Sequence, residues 1–505
     1  MYKKEIISPD LSINTLGKLK ASGYQPKSIK QELRDNLITK LKNKETVFEG
    51  IWGYEETVIP DLERAILSEH NINLLGLRGQ AKTKLARLMV QLLDEYVPII
   101  EGSELNDDPL RPLSRYGIDL VTQKGDDTPI AWLHKNDRYT EKLATPDVSV
   151  ADLIGDVDPI KAATLKLPYS DERVIHYGLI PRSHRGIFVI NELPDLQARI
   201  QVALFNILQE GDIQIRGFKI RLPLDIQFVF TANPEDYTNR GSIVTPLKDR
   251  IDSQIITHYP SSIAIGKKIT QQEARLKTEQ KEKVSVNELS KDLIEQIAIE
   301  ARGSEYVDVK SGVSARLTIS AYENLVSSAE RRALINGEDS THIRMSDFIG
   351  VLPAITGKVE LVYEGEQEGA GIVAANLIGK AIRTQFVEYF PNPEDIRKKK
   401  KDNVYKTVTD WFEEGNTLDL LHDASYKDYK SALDQVPGLK ALVQQFHKNL
   451  DEPSKYFFME LALHGLAEYS MLSKKSLTAG LQFKDLLSSM FNMPNLGFEE
   501  DDEDI

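Results

Sequence analysis

Cysteine is absent from all 505 residues. That excludes disulfides, thiolate nucleophiles and cysteine-ligated metals together. The nine histidines are scattered, without H-E-x-x-H or a similar spacing, so a histidine metal site has little support. No unbroken apolar stretch is long enough to cross a bilayer, and residues 1–12 hold no apolar core for a signal peptide. A cytoplasmic location is the expectation. A basic excess is missing too. The net charge of −14 disfavours a broad nucleic-acid surface, which needs a basic stripe. The one basic block, residues 397–401, follows Phe390-Pro391-Asn392-Pro393 and reads as a solvated linker or helix start. No internal repeat is found. What remains, 41% apolar and 28% charged residues, is the composition of an ordinary globular protein of several domains.

The chain is organised around Ile72-Asn73-Leu74-Leu75-Gly76-Leu77-Arg78-Gly79-Gln80-Ala81-Lys82-Thr83. An apolar run gives way to a glycine-containing loop, then Lys-Thr, then apolar residues at helical spacing (Leu85, Leu88, Met89, Leu92, Leu93, Tyr96). Strand, tight loop and helix in that order cradle phosphate, because backbone N–H groups and the helix N-terminus converge on an anion. The expected nucleotide-binding set is Gly76, Arg78, Gly79, Gln80, Ala81, Lys82 and Thr83. Lys82 reaches for the β- and γ-phosphates, and the Thr83 hydroxyl completes a Mg²⁺ shell. Ala81 stands where G-x-x-x-x-G-K-[ST] has its second glycine, and its methyl group is tolerated if φ stays negative.

Hydrolysis of ATP also needs a metal anchor, a group that orients water and positive charge at the γ-phosphoryl. Residues 187–192 (Ile-Phe-Val-Ile-Asn-Glu) read as a strand buried on both faces that ends in polar residues. Glu192 is the candidate to polarise water. Asn191 stands where an acid usually holds the metal's shell, and it brings no negative charge. Ile226–Ala232 reads as another buried strand, and Asn233 at its end is placed to help position the water. Positive charge is expected from Arg250 or Arg316, with Arg240 a weaker rival for the first.

Residues 1–45 read as an N-terminal extension and 46–260 as an α/β nucleotide-binding domain. That domain holds a polar insertion at about 101–146. A strand is expected at 97–100. A hairpin is expected from 163–167 and 173–177, and a second one from 212–215 and 219–222 around Arg216-Gly217-Phe218. Residues 261–357 read as a small helical domain and 358–490 as a mainly helical region. Residues 491–505 form an acidic tail with six acids in its last seven residues.

Four motifs in order resemble the AAA+ ATPases, within them the magnesium-chelatase I-subunit branch with MoxR-type ATPases nearby. They are Gly76-x-Arg78-Gly79-x-x-Lys82-Thr83, Arg185-Gly186-Ile187-Phe188-Val189-Ile190-Asn191-Glu192, Thr231-Ala232-Asn233-Pro234-Glu235 and Pro246-Leu247-Lys248-Asp249-Arg250. The resemblance covers about residues 47–357. It implies a P-loop parallel-sheet core with helices on both faces, β-hairpin insertions and a helical lid, followed here by a helical C-terminal region. It also implies ATP and Mg²⁺ as ligands and a homo-oligomeric ring, usually a hexamer, with ATP at subunit interfaces. Arg250 then reaches into a neighbour's site, and Arg316 senses the γ-phosphate from the lid. A protein partner with a von Willebrand A domain is implied as well. An enhancer-binding activator would need a Gly-Ala-Phe-Thr-Gly-Ala-like loop and a C-terminal helix-turn-helix, and neither is seen.

Overall fold

In the computed structural model, residues 10–169, 171–213, 215, 222–234, 242–399, 403–477 and 479–486 are described. They fall into two compact units, 1–259 and 260–505. The tip of the second expected hairpin, Arg240 and the acidic tail lie outside the described residues.

The first unit is built on five parallel strands: β1 (Ile72–Leu75), β2 (Tyr139–Leu143), β3 (Gly186–Asn191), β4 (Ile226–Ala232) and β5 (Ser253–Ile256). Their order is β5-β1-β4-β3-β2. The interior strands β3 and β4 are near-continuous apolar runs because both of their faces are covered. Alternation along β3 divides the core in two. Ile187 and Val189 join a cluster with helix α1 (Ile29–Asn43) and the phosphate-loop helix α2 (Lys82–Leu88). Phe188 and Ile190 join a second cluster with helix α3 (Ala198–Glu210). Helices therefore cover both faces, as the sequence implies.

Three local expectations need correction. Residues 96–100 do form a strand, but it pairs antiparallel with Ile130–His134 in a separate ribbon. The sheet's edge is β2, which comes from inside the stretch expected as a long polar connection. An edge strand has one neighbour and half-buried side chains, so Tyr-Thr-Glu-Lys-Leu carries no apolar run to betray it. The first expected hairpin is absent. Pro159–Leu165 is a helix, capped by Asp158, which accepts from Ile160 N and Lys161 N. Ile175–Tyr177 pairs instead with Gly155–Val157. The second hairpin is present at its base, where Asp212 faces Pro223 and Ile213 faces Leu222.

Helix α1 is joined to the first unit by a buried ion pair. Glu32 accepts from Arg138 Nη1 and Nη2 at 2.7 and 2.6 Å, and the Ser28 capping box starts the helix. The second unit packs helices α4 (Glu288–Arg302), α5 (Arg316–Asn336) and α6 (Glu452–Glu468) into one apolar core that runs from Val284 to Phe483. It also holds a three-stranded antiparallel sheet of Leu418–Leu421, Gly480–Lys484 and Ser473–Leu477. Among the described residues no helix is long and apolar enough to cross a membrane.

Candidate nucleotide site

The carboxyl ends of β1, β3 and β4 bring most of the expected residues together. Gly76 N donates to Ala232 O at 3.1 Å, which sets the start of the loop beside the end of β4. A side chain at Gly76 would collide with the Thr257 hydroxyl and the Gln80 amide, so glycine is required there by packing. Thr257 Oγ1 donates to Gln80 Oε1 at 2.7 Å, Tyr54 Oη to Gln80 O at 3.0 Å, and Tyr259 Oη to Arg78 O at 3.0 Å. The loop is thus held from several sides by residues outside it.

Gly79 has φ +73°, and Ala81 has φ +55° and ψ +16°. The expectation of a negative φ at Ala81 is therefore overturned. The loop's second turn needs a left-handed residue whatever occupies it, and alanine takes that conformation at a cost of about 1–2 kcal/mol. Lys82 is only 7% exposed. Its ammonium donates to the carbonyls of Gly76 and Leu77, partners a phosphate can replace.

Asn191 Oδ1 accepts from Thr83 Oγ1 and from Thr231 Oγ1, each at 3.2 Å. Thr231 Oγ1 in turn accepts from Glu192 N at 3.1 Å. Glu192 turns the chain with φ +55°, another left-handed residue at the site. Asn233 is 2% exposed, and its Oδ1 has no hydrogen-bond partner, a buried acceptor left open at the end of β4. Thr231 and Thr257 are participants that periodicity does not reveal. The one signal for Thr231 is a hydroxyl inside an otherwise apolar strand.

Arg250 makes its hydrogen bonds outside this cluster. Arg250 Nε and Nη2 donate to Gln209 Oε1 at 3.0 and 2.8 Å, and Nη1 to Pro246 O at 2.8 Å, with the guanidinium over the Phe205 ring. Arg316 is the exposed first residue of α5, in the second unit.

The donor set fits a nucleotide: a buried ammonium, loop N–H groups at a helix start and an open acceptor. Among the described residues no group of three or more His, Asp or Glu could hold a metal ion. Thr83 and Asn191 are both neutral, so they suit a Mg²⁺ ion that arrives on phosphates, the usual mode for this ion.

Residues 168–255 match the sequence profile of the Sigma-54 interaction domain family. Over 198 residues the chain is 24% identical to the magnesium-chelatase 38 kDa subunit of Cereibacter sphaeroides, covering 38% of this chain and 52% of that one. Over 152 residues it is 30% identical to an archaeal Lon protease of Halobacterium salinarum, covering 28% of this chain and 20% of that one. The RuvB Holliday junction branch migration motor of Thermotoga maritima aligns over 65% of this chain and 68% of its own, at 12% identity and a TM-score of 0.30. The chain thus matches about half the length of the chelatase subunit and a fifth of the protease. Strand order, phosphate loop and sequence matches together define a P-loop domain of the AAA+ ATPase class, related to chelatase- and Lon-type proteins.

Proposed function

We propose that this chain is a chelatase- or MoxR-type motor that hydrolyses ATP in a cytoplasmic ring, favoured as a hexamer, to remodel a protein partner. The observation that carries the reading is the convergence of Lys82, Thr83, Asn191, Thr231, Glu192 and Asn233 at the ends of three adjacent strands. Lys82 and the loop N–H groups bind the phosphates. Glu192 takes the proton of the attacking water, and Asn233 holds that water in line with its open oxygen. Thr83 and Asn191 hold Mg²⁺, which neutralises charge on the β- and γ-oxygens when bound. Arg250 supplies positive charge to a neighbouring subunit's site. Its guanidinium is anchored on Gln209 and Pro246 in the single chain, and in a ring it would exchange these for a neighbour's phosphates. Arg316 acts from the helical lid. A von Willebrand A-domain protein is the partner class we favour.

A second reading, an ATP-assembled scaffold with little turnover, is favoured by the neutral Asn191 alone. The deciding measurement is Mg²⁺-dependent ATP turnover across a wide range of protein concentration. Specific activity is expected to rise with concentration and to vanish in Arg250→Ala. Tight ATP binding without turnover at every concentration would sink the motor and leave the scaffold. Lys82→Ala is expected to weaken ATP binding at least about 100-fold, as removal of a buried charge-assisted donor does. Unchanged affinity in that variant by nucleotide titration would move the site elsewhere.

A further inference from the structure

Arg316 opens helix α5, and the turn that carries it is tied to a buried carboxyl. Thr318 Oγ1 donates to Ala315 O at 3.1 Å, and Arg316 N donates to Ser314 Oγ at 3.1 Å. Thr318 Oγ1 also lies 2.8 Å from Thr270 Oγ1, which donates to Glu295 Oε1 at 2.5 Å. These side chains come from three helices: Thr270 from Ile263–Glu273, Glu295 from α4 and Thr318 from α5. None is more than 6% exposed. A Cβ at Gly266 would collide with the Glu295 carboxyl, so glycine there lets the acid lie against the backbone of Ile263–Glu273.

The protons along this row of oxygens can be counted, because each hydroxyl has one to donate. With Glu295 ionised, the Thr270 proton goes to the carboxylate. Thr318 must then choose. Donating to Ala315 O leaves a 2.8 Å oxygen–oxygen contact with no proton in it, and donating to Thr270 releases Ala315 O. With Glu295 protonated, the acid donates to Thr270, Thr270 to Thr318 and Thr318 to Ala315 O. Every link is then made, and such linked bonds reinforce one another in a buried setting.

The charged groups around Glu295 are engaged with others. Lys267, from Ile263–Glu273, pairs with Asp292 at 2.7 Å and Glu288 at 3.1 Å, and Lys291 pairs with Glu288 at 2.6 Å. Arg302 reaches Val313 O at 3.4 Å. Helix α5 contributes Tyr322, whose phenol burial keeps neutral. The helix Ala370–Tyr389 meets α4 with Gln385 at Gln296 and Thr384 at Glu300, and Tyr389 lies near Asp292. Burial pushes the Glu295 carboxyl up to about 7, against the lowering effect of Thr270, Arg302, Thr318 and Lys267. The acid therefore gains and loses its proton in the neutral range.

We propose that Glu295 is a positioning residue for Arg316: with its proton it completes the row that fixes the first turn of α5, and without it that turn loosens. The inference rests on the γ-phosphate role proposed for Arg316.

The test is hydrogen exchange of the full chain across residues 315–320 between about pH 6 and about pH 8, corrected for the intrinsic rate, with kcat for ATP measured alongside. Protection of the turn and kcat should both fall several-fold as pH rises. Glu295→Gln, whose amide keeps a donor toward Thr270, should hold both nearly level. Thr318→Val breaks the row without touching the acid, and should show the faster exchange and the lower rate at every pH. The same pH response of the turn in Glu295→Gln as in the wild type would overturn the proposal. So would a turn that Thr318→Val leaves unchanged, or one that responds to pH while kcat does not. Exchange needs no nucleotide. A chain that hydrolyses no ATP at any pH would sink the role of Arg316, and the exchange would still decide whether Glu295 sets the turn.

Discussion

The two units bury polar groups in different ways. Of the eight non-glycine residues with positive φ among those described, seven lie in the first unit and only Ser470 in the second. Two of the seven, Ala81 and Glu192, flank the candidate nucleotide site. Both units lock buried carboxylates onto guanidinium groups, Glu32 onto Arg138 and Asp108 onto Arg185 in the first, and Asp347 onto Arg332 in the second. The second unit in addition buries Glu460 completely, held by the Met345 and Ser346 N–H groups and the Tyr429 hydroxyl at 2.8–2.9 Å. Left-handed backbone belongs mainly to the first unit, whereas buried ion pairs occur in both. The other unit uses polar groups to join helices, α6 to the turn at 345–346 and to Tyr429. Backbone strain persists only where its surroundings over-determine it; at Lys44 and Lys166 it ends a helix, and at Ala81 and Glu192 it lies at the site.

The largest expected effect sharpens this contrast. Glu32→Ala leaves Arg138 buried without its counter-charge, and the first unit should lose about 3–5 kcal/mol. Differential calorimetry should show the transition of the first unit falling while that of the second holds. A shift below about 1 kcal/mol would mean that α1 is not integral to the first unit.

The next effect is a pH dependence, carried in the second unit by two buried carboxyls and in the first by Asp225, which burial raises to about 6. Burial pushes the Glu460 carboxyl up to about 7, against the lowering effect of its Tyr429 and Met345 hydrogen bonds. Burial raises Glu295 to about 7 as well, against its bond from Thr270. A raised carboxyl pKa means that the folded state holds the proton more tightly. Its stabilisation is complete below the unfolded value near 4.5 and is lost as pH rises through 7. The second unit should therefore weaken between pH 5 and 8, by roughly 3 kcal/mol per group at most. Glu460→Gln should flatten that slope. A slope unchanged in the variant, followed by thermal melts at several pH values, would remove Glu460 as its source.

The smallest effect tests the strain itself. Ala81→Gly relieves a left-handed alanine but loosens the unfolded chain, so the net gain should be about 0.5–1 kcal/mol. A chemical denaturation midpoint that falls instead would show the methyl group packing favourably against its neighbours.

Much of the site was legible before folding was considered. Lys82, Thr83, Asn191, Glu192 and Asn233 could be read because each follows or ends an apolar run whose period marks a buried strand. The edge strand β2 was not legible, since a half-buried strand with one neighbour has no such run. Helix Pro159–Leu165 overlaps the strand expected at 163–167, because its seven residues are too few to show a helical period. Thr257, and the bond that Thr231 makes to Asn191, were not legible because they depend on contacts between segments far apart in sequence. Helix α1 looked like an extension for the same reason: Glu32 and Arg138 are 106 residues apart.

The amino-acid order alone determined the strand–loop–helix of the phosphate cradle, the two buried strands and the alternating helical pattern beyond them, because these depend on neighbours within a few residues. Tertiary structure decided the strand order, the left-handed turn at Ala81, the bridging of Asn191 by two threonines and the raised carboxyls of the second unit. Each of those depends on which distant groups share a small buried volume, where hydrogen-bond partners and desolvation, rather than local preference, set the energy.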